Sequence, residues 1–538
     1  MNWLHTWAGF AVAWLLYFIF VTGSAGYFEN EIDRWMKPEI TVVNSNDNPD
    51  GNTNAYQVLE IAEQQLNQLA SDSPQWYIRF PATREPFMGI SWLQLADSES
   101  KKTKQWRQKS INPENGSAVA IRETGGGHTL YRMHYNLHYI PKIFGYILTS
   151  LAGMFMLIGL VTGVVIHKKI FFEFFTFRPQ KGMRAWLDIH NVLSVLPLPF
   201  HLMITYSGLI LLMTVTMSNV IDVTYGEGKA NHLKFYKVAH SEIKENKAIT
   251  LLPEDLSLKT VFDDASTRYK NQKISFIGLI DRGSKNEHYD IFFDHFTGIA
   301  LASSVEYRIK DHQVEIEISR GKAGSAARVY ELFERLHEGL FADIYLRWLY
   351  FISGLLGAGM IATGMMLWIL KRQKNACKDN KSSRFNIITL IEKINVAVII
   401  GLPIAIAGYF FSNRLLPITM VNRADWEIHC FFISWLACLC FCLFRQSENA
   451  WKNMLTIAAT SYALLPVVNL ITTDHDIISS IQKDDWIMAG FDLSMLLFSA
   501  IFTVAVLLIN KNRQHKKSIN SHLVAEKKSA ITSEERPS

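Results

Sequence analysis

What most limits the folds open to this chain is its set of long apolar runs, several exceeding the roughly 18 residues that mark a membrane-spanning helix. They occupy about 7–28, 143–166, 187–217 and 348–370, and then 387–411, 427–444, 453–472 and 487–509. The pattern is that of a polytopic α-helical membrane protein with about eight spans. The first run is followed by no small-residue cleavage site, so it reads as a retained helix and not as a removed signal.

The net charge of +5 says little, but its distribution implies a topology. With the N-terminus in the cytoplasm, the cytoplasmic segments are 167–186, 371–386, 445–452 and the tail, all rich in Lys and Arg. The opposite loops, 412–425 and 473–486, hold only Arg414, Arg423 and Lys483. That is the positive-inside pattern for eight spans with both termini inside. The organisation expected is a first span within 1–28, an extramembrane domain at 29–137, two spans and their loop at 138–217, a second domain at 218–344, a span at 345–370, a linker at 371–386, four spans at 387–509, and a polar, basic, irregular tail at 510–538.

Both extramembrane segments read as small α+β domains. In the first, residues 54–69 have helical periodicity, and strand-like runs follow at 75–80 and 87–95, then a strand–turn–strand at INPENGSAVAI. The second repeats the order, with a helix at 256–269, strands at 274–280 and 289–294, and a turn at DHFTGIAL. Helix, outside domain, helix is therefore a unit used twice, which makes the first four spans an internal duplication.

The third run carries His190 and His201, eleven residues apart. That spacing puts both on one helix face, about 16 Å apart along the axis. Pro197 and Pro199 should kink this helix, because neither offers a backbone N–H. The starts of the first four spans share a context: WLHTWAGF with His5, NLHYIPKIFG with His138, WLDIHNVLSV with His190, and RLHEGLFA with His337. Each helix later passes a small pair: Thr22-Gly23, Thr162-Gly163, Ser207-Gly208 and Thr363-Gly364. Helix direction alternates, so His5 and His190 fall at the cytoplasmic end and His138 and His337 at the outer end. Two bis-histidine pairs follow, and neutral imidazole is the usual nitrogen ligand of a b-type haem iron. About two haems are expected. The small residues let helix backbones approach.

A single interfacial histidine is ordinarily just a polar residue at the headgroup boundary; four in one context are harder to dismiss. His134, one turn before His138, could support it. His167 lies level with His190 and could replace His5. His201 lies within the bilayer, where an unpaired imidazole is costly, and could ligate a second or intermediate haem. His429 reads as an isolated interfacial residue. Arg347 and Lys142 could meet haem propionates, although snorkelling is the commoner role for such residues. Four of the five cysteines fall in one apolar segment and read as small hydrophobes.

The stretches WLHTWAGF, YRMHYNLHYIP, HKKIFFEFFTFRPQKGMRAWLDIHNVLSVLPLPFHLMITYSG and LHEGLFADIYLRWLYFISG with ATGMMLW resemble the PepSY-associated transmembrane family of bacterial iron-uptake loci. The resemblance covers about residues 1–372. It implies that the outer segments are PepSY-like domains. It also implies a di-haem protein of the bacterial inner membrane that reduces ferric siderophores on the periplasmic side. The last four spans depart from the compact four-helix members.

The function expected is electron transfer across the lipid bilayer to a ferric siderophore or other ferric chelate, from a quinone or a cytoplasmic reductase. Fe(II) is held less well by hard oxygen ligands, so reduction releases iron. No nucleotide-binding glycine fingerprint, P-loop or HExxH stands in the sequence, so the donor is another molecule and no protease is indicated. Nothing points to nucleic acid. Two other classes remain open: a non-enzymatic PepSY regulatory or binding module without haem, and a transporter of iron or siderophore suggested by the four extra spans. The ionisable residues of those spans, chiefly Glu392, Arg423, Glu427 and Asp492, form no evident pathway through the membrane.

Overall fold

The structure is a computed structural model that describes residues 1–40, 52–81, 88–94, 105–112, 116–166, 182–239, 242–249, 256–270, 272–293, 304–310, 313–322, 325–379 and 382–534. Its helices are α1 (Asn2–Gly26), α2 (Glu29–Met36), α3 (Asn52–Leu69), α4 (Gly126–Asn136), α5 (Lys142–Ile166), α6 (Met183–Val195), α7 (Leu198–Thr216), α8 (Ser218–Tyr225), α9 (Lys229–Ala239), α10 (Leu258–Arg268), α11 (Ser325–Glu338), α12 (Ile344–Asp379), α13 (Ser382–Ile399), α14 (Gly401–Leu415), α15 (Arg423–Phe444), α16 (Ser447–Thr472), α17 (Ile477–Gln482) and α18 (Trp486–Glu534). Among the described residues, eight helical segments are long and apolar enough to cross a membrane. The protein is thus a polytopic helical membrane protein with an extramembrane sheet. It divides into two compact units, Met1–Gly364 and Met365–Ser538.

In the first unit, α1, α5, α7 and α12 supply the spanning helices. The expected kink in the third run is a full break. Leu196 closes α6, and α7 restarts with Pro197 at its N-cap and Pro199 in its first turn, where a missing N–H costs nothing. Short helices flank the spans at the sheet-bearing end. Of these, α4 begins at a glycine pair that admits a close neighbour. A Cβ on Gly126, whose φ is +58°, would collide with the Asp33 carboxylate of α2, and one on Gly127 with the Glu29 carbonyl. Asp33 instead accepts the Gly127 N–H at 2.7 Å, capping the positive end of α4.

Among the described residues, the two extramembrane segments share one sheet of nine strands. The strands are β1 (Gln75–Arg79), β2 (Met88–Gln94), β3 (Gln105–Ile111), β4 (Ala118–Val119), β5 (Glu242–Ile249), β6 (Ile274–Ile280), β7 (His288–Phe293), β8 (Ser304–Lys310) and β9 (Gln313–Lys322), in the order β4-β3-β2-β1-β6-β7-β8-β9-β5. The halves join where β1 pairs antiparallel with β6, Ile78 opposite Ile277 and Tyr77 opposite Gly278. Gly278 makes this seam close: a Cβ there would stand 2.7 Å from the Tyr77 ring.

Strand alternation sends Trp76, Ile78, Met88, Ile90, Ile277, Leu279, Ile291 and Val305 to one face. There they meet Val58, Leu59, Ala62 and Leu66 of α3 and Val261, Phe262 and Ala265 of α10 in a single core. Ser257 starts α10 as its N-cap, accepting the Thr260 N–H. What the sequence presents as two domains is therefore one core with two helices on one face of a fused sheet. The PENG and DHFTGIAL turns lie wholly or partly outside the described residues.

The second unit is built from the rest of α12 and from α13 to α18. The tail, expected to be irregular, continues α18 to Glu534; its sequence holds no Gly or Pro before Pro537 to stop a helix.

Candidate functional site

Four histidines of the first unit sit against the four small pairs noted in the sequence, each on a neighbouring helix. His5 of α1 donates from Nδ1 to the Gly159 carbonyl of α5 at 2.9 Å and lies 3.2 Å from Thr162 Oγ1. His190 of α6 repeats this on α12, donating to the Met360 carbonyl at 2.9 Å with Thr363 Oγ1 at 3.1 Å. His337 of α11 meets Ser207 Oγ of α7 at 2.8 Å. His134 of α4 donates from Nδ1 to its own helix at the Tyr131 carbonyl, and its ring lies over Gly23 of α1.

These bonds fix the tautomer. A carbonyl oxygen only accepts, so Nδ1 carries the proton in His5, His134 and His190. The single proton of Ser207 is already given to the Met203 carbonyl at 2.7 Å, so Ser207 accepts from His337 as well. In the neutral form of each ring the lone pair is therefore on Nε2. This is how a second partner orients a metal-binding histidine. Each ring rests on a glycine: the Cβ of an alanine would stand 3.3 Å from His5 at Gly163, 3.4 Å from His190 at Gly364 and 2.9 Å from His337 at Gly208.

Two of the four rings face one another. The His134 and His337 rings are 6.3 Å apart between centres and 19° from parallel. Two imidazoles bound through nitrogen to one metal ion at about 2 Å have ring centres about 6 Å apart, so the spacing fits a shared metal. Neither Nε2 has a hydrogen-bond partner among the described residues. Both rings line a cavity of about 370 Å³, along with Gly23, Tyr131, Gly208 and Glu338. Burial pushes the His134 imidazole down to about 4. Burial, then the neighbouring His134, pushes His337 down to about 3. Both are neutral at ordinary pH and keep a lone pair for a metal. The donor set, the tautomers and the cavity fit a b-type haem.

The other expected residues fall elsewhere. His138 lies past the end of α4, between Leu137 and Tyr139, both at positive φ, and packs on the Tyr139 ring. The backbone turns there, so His134, one helical turn earlier, reaches Gly23 and His337. His201 is fully buried and has the opposite tautomer, donating from Nε2 to the Ser353 carbonyl at 3.1 Å. Its Nδ1 is enclosed without a partner, beside Phe20 and Phe200. His167 lies outside the described residues. Arg347, expected to snorkel or meet a propionate, instead pairs with Glu31 at 2.6 Å. In the sequence His134 reads only as support for His138, and no motif singles out Tyr131, whose hydroxyl donates to Glu338 at 2.9 Å.

Two further polar groupings stand apart from the histidine pairs. On the sheet, ligating atoms of His288, Asp290 and Glu306 lie within 4.8 Å of one another. Arg308 already neutralises Glu306 at 2.5 Å, so a cation would compete with an ion pair. In the second unit, Arg423 pairs with Glu427 at 2.5 Å, and Asn413 donates to the same carboxylate at 2.8 Å. Arg414 binds Asn413 at 2.5 Å and Asn469 at 2.9 Å, and Asn469 reaches Asp492 at 2.9 Å. The scattered charges of the last four spans thus form one buried, charge-balanced network at the end where α14 stops and α15 begins. Glu392 is separate and accepts from Gln373.

Fold and site together define a multi-pass helical membrane protein in which partly buried, oriented imidazoles sit at both ends of a duplicated helix set. The sequence profile described as PepSY-associated TM region matches residues 2–371, and the chain belongs to that family. A comparison with curated proteins finds no match.

Proposed function

We propose that this protein is a haem-dependent reductase of the bacterial inner membrane that reduces a ferric siderophore or related ferric chelate on the sheet-bearing side. The observation that carries the reading is the set of four partly buried histidines with protonated Nδ1, two of them face to face at 6.3 Å. His134 and His337 hold one haem. The duplication gives His5 and His190 the equivalent place at the opposite end. When bound, b-type haem supplies a one-electron couple.

The chain's own residues do the rest. The carbonyls of Gly159 and Met360 and the hydroxyl of Ser207 aim Nε2 of their histidines and raise its basicity. The apolar spans exclude water. The net reaction adds one electron to Fe(III) of the chelate, giving Fe(II), which hard oxygen donors hold less well. The electron comes from a donor on the other side, a quinol or a cytoplasmic reductase. The Lys- and Arg-rich segments support a cytoplasmic position for that side and both termini, with the sheet in the periplasm.

The test uses full-length protein in proteoliposomes, reduced with dithionite and freed of excess reductant. Addition of a ferric siderophore should reoxidise the protein and produce Fe(II) trapped by a ferrous-specific chelator, one per electron lost. Reoxidation no faster than in buffer alone would remove the reductase reading.

A further inference from the structure

We infer that Tyr131 is a positioning residue for the facing imidazoles, setting the angle between His134 and His337 through its hydrogen bond to Glu338. The inference rests on the reading of these histidines as haem ligands. Tyr131 acts on both rings from one place. Its carbonyl accepts from His134 Nδ1, which fixes that ring's tautomer and rotation. Its hydroxyl crosses from α4 to α11 and donates to Glu338 at 2.9 Å, and Glu338 adjoins His337 in the chain. The two ligand-bearing helices are therefore tied at the level of their ligands.

The surroundings leave Tyr131 little freedom. Its ring lies on Gly26 of α1, where even a Cβ would come within 3.0 Å. It also packs on the His134 ring at 5.2 Å between centres. On the other helix, Tyr27 donates to the His337 carbonyl, and Ser207 holds the His337 ring. α4 has only 11 residues, and its backbone turns at Leu137. A helix that short takes its rotation from side contacts more than from its own length. Removal of the hydroxyl breaks the tie to α11 and keeps the ring on Gly26, so the expected change is a rotation between imidazole planes and not a loss of fold.

The test compares Tyr131→Phe, Glu338→Ala and Glu338→Gln in the full-length protein, each with haem quantified per chain. The readout is the low-temperature paramagnetic resonance of the ferric form, whose largest g value rises as axial imidazole planes turn away from parallel. The wild type, with planes 19° apart, should give an ordinary rhombic low-spin signal at this site. Tyr131→Phe and Glu338→Ala should shift that signal to a larger g value and leave the other haem's signal unmoved. Glu338→Gln still offers an oxygen to the hydroxyl and should match the wild type.

A Tyr131→Phe spectrum superimposable on the wild type would overturn the proposal. So would a Glu338→Gln shift equal to that of Glu338→Ala, since charge and not the hydrogen bond would then be at work. If Tyr131→Phe fails to accumulate, Glu338→Ala decides by the same criterion. A wild-type protein without haem would instead sink the reading on which this rests.

Discussion

At the residue scale, the assignment of ligands turns on one helical turn. His134→Ala and His337→Ala should each remove about one haem per chain, whereas His138→Ala should retain both; a pyridine haemochrome assay counts them. Retention of full haem by His134→Ala would return the site to His138. The seats make a graded prediction. Gly208→Ala puts a methyl 2.9 Å from a His337 ring held by Ser207, and should lower haem content strongly. Gly23→Ala, with 3.5 Å to His134, should be close to neutral in the same assay. The Leu-His contexts and the small pairs were readable in the sequence as separate facts. That each histidine sits on the small pair of a neighbouring helix was not, because that relation depends on which helices touch. His138 stood out because it has the Leu-His context, while the positive φ at Leu137 and Tyr139 that turns it away leaves no mark in composition.

At the element scale, the strands of both halves were legible through alternation, and 274–280 matches β6 to the residue. Their fusion was not, because β1 and β6 are distant in sequence and neither carries a signal for its partner. The seam predicts its own weak point. Ile277→Ala removes a buried side chain opposite Ile78 and should cost about 2–5 kcal/mol locally. Amide exchange in both β1 and β6 should rise together, with haem content unchanged; a rise confined to β6 would mean that the halves are independently stable. In the second unit, the buried Arg423–Glu427 pair makes the complementary case. Arg423→Leu leaves a carboxylate buried without its cation and should destabilise by about 3–5 kcal/mol, while Arg423→Leu combined with Glu427→Leu should lose less. Melting of the detergent-purified proteins compares the two. A double variant less stable than the single one would show that the network, and not the charge balance, holds these helix ends.

At the scale of the whole molecule, duplication does the organising. Each half carries a histidine near each end of its helices, and the sheet-side rings of the two halves meet across the cavity. The same operation relates His5 to His190 at the far end. On the proposed reading, a chain built this way presents oriented nitrogen ligands at two depths, which is what electron transfer through a low-dielectric layer requires. The measurement that tests this most directly is the visible spectrum of the detergent-purified protein, oxidised and then dithionite-reduced, with haem counted per chain. The account predicts a sharp reduced b-type α band and about two haems. A colourless protein from haem-replete cells would contradict it, leaving the four histidines as helix-packing contacts.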